Sequence, residues 1–175
     1  MVDAQTIGVL ITATSVTVAA IYYVTTLGEA RKSRHMQFLM QTINEFRNED
    51  AWKRYLTLMN MEWRDYDDFE KKYGSDNNPD SYAERSTNWQ YYNNLGYMVS
   101  KKFIRADELF DLMGEGIIWE WQKWGGMIKE IRRRYSQPFL YAYFDFLADE
   151  LIKVREARGV KTGMPDTYLK YIPEK

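Results

Sequence analysis

From Ile7 to Leu27 the chain carries fourteen apolar side chains, one glycine and six serines or threonines, with no charge between Asp3 and Glu29. At 1.5 Å of rise per residue, such a run makes a helix of roughly 32 Å, against a hydrocarbon layer of about 30 Å. The length predicts one membrane crossing. The hydroxyl residues make the run only moderately apolar, as a core helix also can be. Ser and Thr can donate to carbonyls of their own helix, however, and are tolerated in lipid. A cleaved secretion signal needs basic residues ahead of the apolar stretch, and only Asp3 is charged there.

The flanks predict an orientation. Arg31, Lys32 and Arg34 follow the run and nothing basic precedes it, which puts the N-terminus outside and the remainder in the cytoplasm. Tyr22 and Tyr23 fall near the inner end, where amphipathic rings favour the headgroup zone. Gly8, Thr12, Ser15 and Ala19 form a small-residue stripe on which a second helix could pack closely. The expected organisation is an external tail over 1–6, a transmembrane helix over 7–27, a cytoplasmic antiparallel helical bundle over 28–159 and a tail over 160–175, with one turn near Asp166.

Beyond the apolar run the periodicity is helical throughout, so the expected class is all-α. Met36, Leu39, Met40, Ile43 and Phe46 continue one stripe with no proline before them, and Gly28 is the only candidate hinge. Asn48, Glu49 and Asp50 predict the start of a helix that buries Trp52, Tyr55, Leu56 and Met59. A short helix over Asp67 to Tyr73 should stop at Gly74. Asn78 followed by Pro79 predicts a capped helix whose core stripe is Trp89, Tyr92, Gly96, Val99 and Phe103, with Gly96 at a close helix contact. A short helix from about Ala106 to Met113 leads into a Trp-bearing one with Ile117, Trp121, Trp124, Ile128, Ile131 and Tyr135 on a coiled-coil-type seam. Pro138 should start the last helix, with Leu140, Phe144, Leu147, Leu151 and Val154 inside and Gly159 at its end.

Composition narrows the functions available. The chain has no cysteine, which removes disulfides, thiol nucleophiles and thiolate metal sites. All 24 Lys and Arg and 24 of the 25 acids follow Gly28. The part after Gly28 is therefore formally neutral, whereas nucleic-acid modules carry a basic excess, so nucleic acid is not an expected partner. Beyond the apolar run lie 26 of the 28 aromatic residues, a supply suited to a packed domain and not to a disordered tail.

Candidate chemistry is sparse. His35 is the only histidine, too few for a di-iron bundle or a zinc protease helix. The acids of "WRDYDDFE", with Asp65, and of "FDFLADEL", with Asp145 and Asp149 one turn apart, could hold a cation or act as an acid–base pair, but no third ligand follows at a defined spacing. Asp67 with Lys71 and Asp68 with Lys72 stand at the spacing of surface ion pairs. Arg132, Arg133 and Arg134 suit a helix C-terminus as well as a phosphate or an anionic lipid. Trp121 and Trp124 belong to the seam, whereas Trp119 falls off it and is a candidate partner surface. No phosphate loop or nucleophile elbow is present.

The order of short tail, anchor, basic-flanked long helix and aromatic bundle, and above all the stretch "YYNNLGYMVSKKFIRADELFDLMGEGIIWEWQKW" from Tyr91 to Trp124, resembles a family of single-pass prokaryotic proteins, frequent in archaea, classed as a domain of unknown function. The resemblance implies an aromatic, an acid and a glycine ahead of an apolar helix end, then a Trp-bearing helix. Here Asn93 takes the place of the acid and Arg105 stands where an Asp is usual, so an activity depending on those acids would be missing. The resemblance brings no activity with it.

The expectation is thus a membrane-anchored helical interaction or accessory module, single-pass in the cell membrane, without catalytic, cofactor or metal residues. Its partners would be the bilayer and another protein or a second copy. The alternative is a membrane-tethered metal-dependent hydrolase or nuclease built on the helix carboxylates.

Overall fold

A computed structural model of the chain describes residues 3–44 and 48–161. Phe46 and the turn expected near Asp166 lie outside the described residues. Those residues form six helices and no strand: α1 (Ala4–Asn44), α2 (Glu49–Met59), α3 (Tyr66–Tyr73), α4 (Pro79–Ser100), α5 (Ala106–Arg134) and α6 (Ala142–Ala157). By its internal contacts the chain makes two units, Met1–Asn48 and Glu49–Lys175. The first is α1 and the second a helical bundle in which α4 and α5 both pack on α6.

The single helix α1 runs through Gly28 without a break. Its 41 residues span about 62 Å at 1.5 Å each, twice the thickness of a hydrocarbon layer. Short-range chemistry sets most of the other boundaries. Asp65 Oδ1 accepts from the Asp68 N–H at 2.9 Å to open α3, and the Gly74 N–H donates to the Glu70 carbonyl at 2.8 Å to close it. Asn78 Oδ1 accepts from the Ser81 N–H at 3.0 Å, with Pro79 at the first helical position.

Four expectations need correction. In α2 the buried face passes through Ala51, Leu58 and Met59, leaving Trp52 58 % and Leu56 44 % exposed. The apolar positions of that helix cover too much of its circumference for periodicity to say which part faces inward. In α4 the helix stops at Ser100, Lys102 turns the chain at φ 59°, and Ile104 is buried while Phe103 is 59 % exposed. The expected break near Met113 is missing: α5 continues through Gly114 and Gly116, since tertiary packing holds a helix across glycines that cost it only about 1 kcal/mol each. Finally α6 starts at Ala142, four residues after Pro138, because Tyr141 adopts a left-handed conformation at φ 52°. Leu140 therefore belongs to the connection, and Tyr135, the last position of the expected seam, is a half-exposed cap residue.

Aromatic rings make the core. Trp124 is fully buried, stacks on Trp63 at 4.6 Å and meets Trp89 edge-on at 5.3 Å and Phe69 at 6.0 Å. A second group joins Phe144 to Trp121 and to Tyr92, each at 4.9 Å. Offset and edge-on pairs like these add about 0.5–1.5 kcal/mol each beyond the area they bury.

The start of α5 is the weakest cap. Arg105 occupies the cap position and makes no cap hydrogen bond; its Nε donates instead to Asp107 Oδ1 at 3.0 Å. Arg105→Ser would complete a Ser-x-x-Glu capping box with Glu108. We expect it to add about 0.5–1 kcal/mol, seen as a melting temperature raised by roughly 1–4 °C. An unchanged or lowered melting temperature would show that the Arg105–Asp107 pair matters more than the cap.

Candidate functional site

The apolar part of α1 is long and apolar enough to cross a membrane, and none of that window is buried. Val9, Leu10, Ile11, Val16, Val18, Ile21 and Val24 are each at least 60 % exposed. Leaving such a side chain in water forgoes about 1.5–3 kcal/mol, so an apolar surrounding would stabilise this surface. Five of the six hydroxyls within it donate to the helix itself. Thr12 donates to the Gly8 carbonyl at 2.9 Å, Thr14 to Leu10 at 2.8 Å, Ser15 to Ile11 at 2.8 Å, Thr17 to Ala13 at 2.9 Å and Thr25 to Ile21 at 3.0 Å. Gly8, Thr12, Ser15 and Ala19 are all exposed, as are Arg31, Lys32 and Arg34. Trp119 is intermediate in exposure, while Trp52, Phe103, Tyr135 and Phe139 are the aromatics of the bundle most open to solvent, Phe139 at 85 %.

Most of the sequence-predicted charged candidates are engaged in ion pairs on the bundle. Arg132 donates to the carbonyls of Leu140 and Tyr141 and, at 2.8 Å, to Asp145, which also faces Lys129 at 3.9 Å. Arg133 and Arg134 both bind Glu130. Arg134 also reaches Asp67 at 2.8 Å, so Asp67 pairs across the fold instead of with Lys71, whereas Asp68 and Lys72 do pair at 2.8 Å. Asp149 is exposed. Among the described residues no three acidic or histidine side chains gather as a metal site would need. Asn93 accepts from the Tyr143 N–H at 3.0 Å. It thereby supplies from α4 a cap that Tyr141 does not give α6.

Three ionisable side chains are buried at positions the periodicity does not single out. Glu120 is fully buried on α5, with Asn88 of α4 donating to Oε1 and Tyr92 of α4 also hydrogen-bonded to it. Burial pushes its carboxyl up to about 8 in spite of those bonds, so it is mostly neutral at pH 7. Lys123, one turn on, donates to the carbonyls of Met59 and Met61 at 2.7 Å each and so closes the end of α2. Burial lowers its ammonium to about 8. The third is Arg85, 3 % exposed, which donates through Nη1 to the Tyr73 carbonyl.

Arg85 forms part of the wall of a 270 Å³ cleft between α3, α4 and the α5–α6 connection. Its guanidinium lies 4.8 Å from the Tyr82 ring, 4.9 Å from Phe69 and 5.9 Å from Trp89. Burial lowers its pKa from the ordinary value, an effect that the negative charge of Glu70 partly offsets. Tyr66 donates to Glu70 Oε2 at 3.1 Å and lies 3.3 Å from the Tyr135 hydroxyl. Burial and these neighbours raise the Tyr66 phenol, which stays protonated. Tyr141 also lines the cleft; it meets Trp89 edge-on at 5.5 Å and hydrogen-bonds Ser86. A bulky residue at φ 52° is strained, and strain of this kind tends to collect at functional surfaces.

Fold and site together define an all-helical protein with one N-terminal helix able to span a membrane, an aromatic-cored bundle and a small polar-aromatic cleft. The chain belongs to the family of the domain of unknown function DUF4760, whose model matches residues 10–151. That match begins inside the apolar part of α1 and ends within α6, so the family's unit takes in much of the apolar run together with the bundle. No match was found among the curated proteins or among the solved structures.

Proposed function

We propose that the protein is a membrane-anchored helical interaction module. Its N-terminus lies outside, α1 crosses the bilayer between residues 7 and 27, and the bundle stands at the cytoplasmic face behind Arg31, Lys32 and Arg34. The observation that carries this reading is the α1 surface itself: apolar, unburied, and with five of its six hydroxyls bonded back to the helix. Orientation rests on the basic residues lying on one side only. Tethering raises the effective concentration of the bundle near other membrane proteins. The partner is a protein met through exposed aromatics of the bundle, with Trp119 beside them, or a second helix on the Gly8, Thr12, Ser15, Ala19 face. No observation favours the metal-dependent hydrolase: Asp145 is held by Arg132, and among the described residues no third ligand joins it.

The absence of cysteine makes the topology directly testable. Gln5→Cys and Lys161→Cys, introduced singly into the full chain, should behave oppositely toward a membrane-impermeant maleimide. The first should react in intact cells and the second only after permeabilisation, with the protein retained in membranes washed at alkaline pH. Labelling in the reverse order would overturn the orientation, and release by the alkaline wash would overturn the anchor.

A further inference from the structure

We propose that the cleft between α3, α4 and the α5–α6 connection binds a small organic monocarboxylate with a flat apolar body, its carboxylate held by Arg85. This goes beyond the anchor reading and does not depend on it.

The first reason is the charge on Arg85. A guanidinium has five N–H donors, and this one makes a single hydrogen bond, to the Tyr73 carbonyl. Among the described residues no carboxylate lies within 4.0 Å of it, although the residue is only 3 % exposed. Burying a cation without a carboxylate partner is costly, and the planar fork of an arginine matches a carboxylate in two-point contact. Glu70 does not fill that place; its Oε2 accepts from Tyr66.

The second reason is the wall. Tyr82 and Trp89 present rings beside the guanidinium, and Tyr141, edge-on to Trp89 at 5.5 Å, continues the same aromatic wall. A wall of rings suits a flat apolar body, and the unused donors of Arg85 suit a carboxylate. The volume, 270 Å³, is about nine times the space one water occupies in the liquid, which limits the ligand to a small molecule.

The third reason is selectivity between anions. Glu70 also lines the cleft, so the site offers one positive charge against one nearby negative charge. Attraction to Arg85 and repulsion from Glu70 both double for a phosphate dianion and so largely offset each other, whereas the cost of stripping water from an ion grows with the square of its charge, which favours a monoanion.

The test uses the full-length protein in detergent and reads binding by calorimetry with four probes: benzoate, its neutral isostere benzamide, phenyl phosphate and inorganic phosphate. Benzoate is expected to bind saturably at one site per chain, at least tenfold more tightly than benzamide and more tightly than either phosphate. Arg85→Lys, which keeps a charge but loses the fork, should weaken benzoate at least tenfold. Because Arg85 also caps α3, a second variant is needed that leaves the core alone. Gln137→Trp places a large side chain at the exposed rim of the cleft and should abolish benzoate binding with an unchanged melting temperature. Absence of saturable benzoate binding, equal affinity for benzamide, tighter binding of either phosphate, or benzoate affinity untouched by Gln137→Trp would each overturn the proposal.

Discussion

Replacing Gly96 by alanine is expected to destabilise the bundle by about 3 kcal/mol or more, beyond the ordinary cost of overpacking. A methyl group on Gly96 would sit 1.8 Å from the Tyr143 carbonyl oxygen, 2.6 Å from its carbon and 3.1 Å from Leu147 Cβ. The first two atoms are backbone and cannot swing away, so α4 and α6 must part. That separation loosens Leu95, Val99, Phe144 and Leu147, all buried. Gly116 and Gly126 supply the controls. Both lie in α5 with nothing within 4 Å of an added Cβ, so Gly116→Ala and Gly126→Ala should instead stabilise by about 0.5–1 kcal/mol through helix propensity. Thermal melting of the three variants would separate the cases: Gly96→Ala should melt several degrees lower and the others slightly higher. A Gly96→Ala protein that melts like the parent would mean that α4 and α6 are not in backbone contact.

The second large effect is a dependence of stability on pH carried by Glu120. Its carboxyl rises from an ordinary 4.5 to about 8 in the folded protein. Between those values the folded state binds more protons than the unfolded one, so stability falls as pH rises through that window. At 1.36 kcal/mol per unit the fall amounts to roughly 3–5 kcal/mol. Other shifted groups fall outside this range. Asp68, Asp107 and Asp111 move down from 3.8 and Glu130 to about 2, so their contributions change only at lower pH. Lys123 is lowered from 10.5 to about 8, and its contribution increases stability only as pH rises above 8. Melting at pH 5, 6, 7 and 8 should therefore show a steady loss in the parent and a nearly flat profile in Glu120→Gln, which keeps an acceptor for Asn88 but cannot ionise. Parallel profiles for the two proteins would place the titration elsewhere.

Much of the architecture was legible along the chain because it depends on neighbours a few residues apart. Asn78 with Pro79, and Gly74 after Tyr73, are local capping chemistry and act as read. The apolar run from Ile7 to Leu27 needed only length and the exclusion of charge, and the all-helical class needed only the period of the apolar positions. Gly96 was readable as a close contact because a glycine on a core stripe of large residues has few other uses. Glu120 carries a weaker signal in the sequence: it is three residues after Ile117 and four before Trp124, on the buried side of the same helix. Arg85 likewise stands four residues before Trp89.

The amino-acid order by itself determined which segments coil, where most of them are capped, that one of them can lie in lipid, and that thiol chemistry is absent. Those properties follow from hydrogen bonds within a turn and from the solvation of single side chains. Tertiary structure alone decided that α2 turns Ala51 and Leu58 inward and Trp52 outward, that α5 continues across Gly114, that Asp67 pairs with Arg134, and that Arg85 is buried beside a cleft with no carboxylate against it. Each of these depends on which distant residue occupies the facing position, and a helical face carries no record of its partner until the helices are packed.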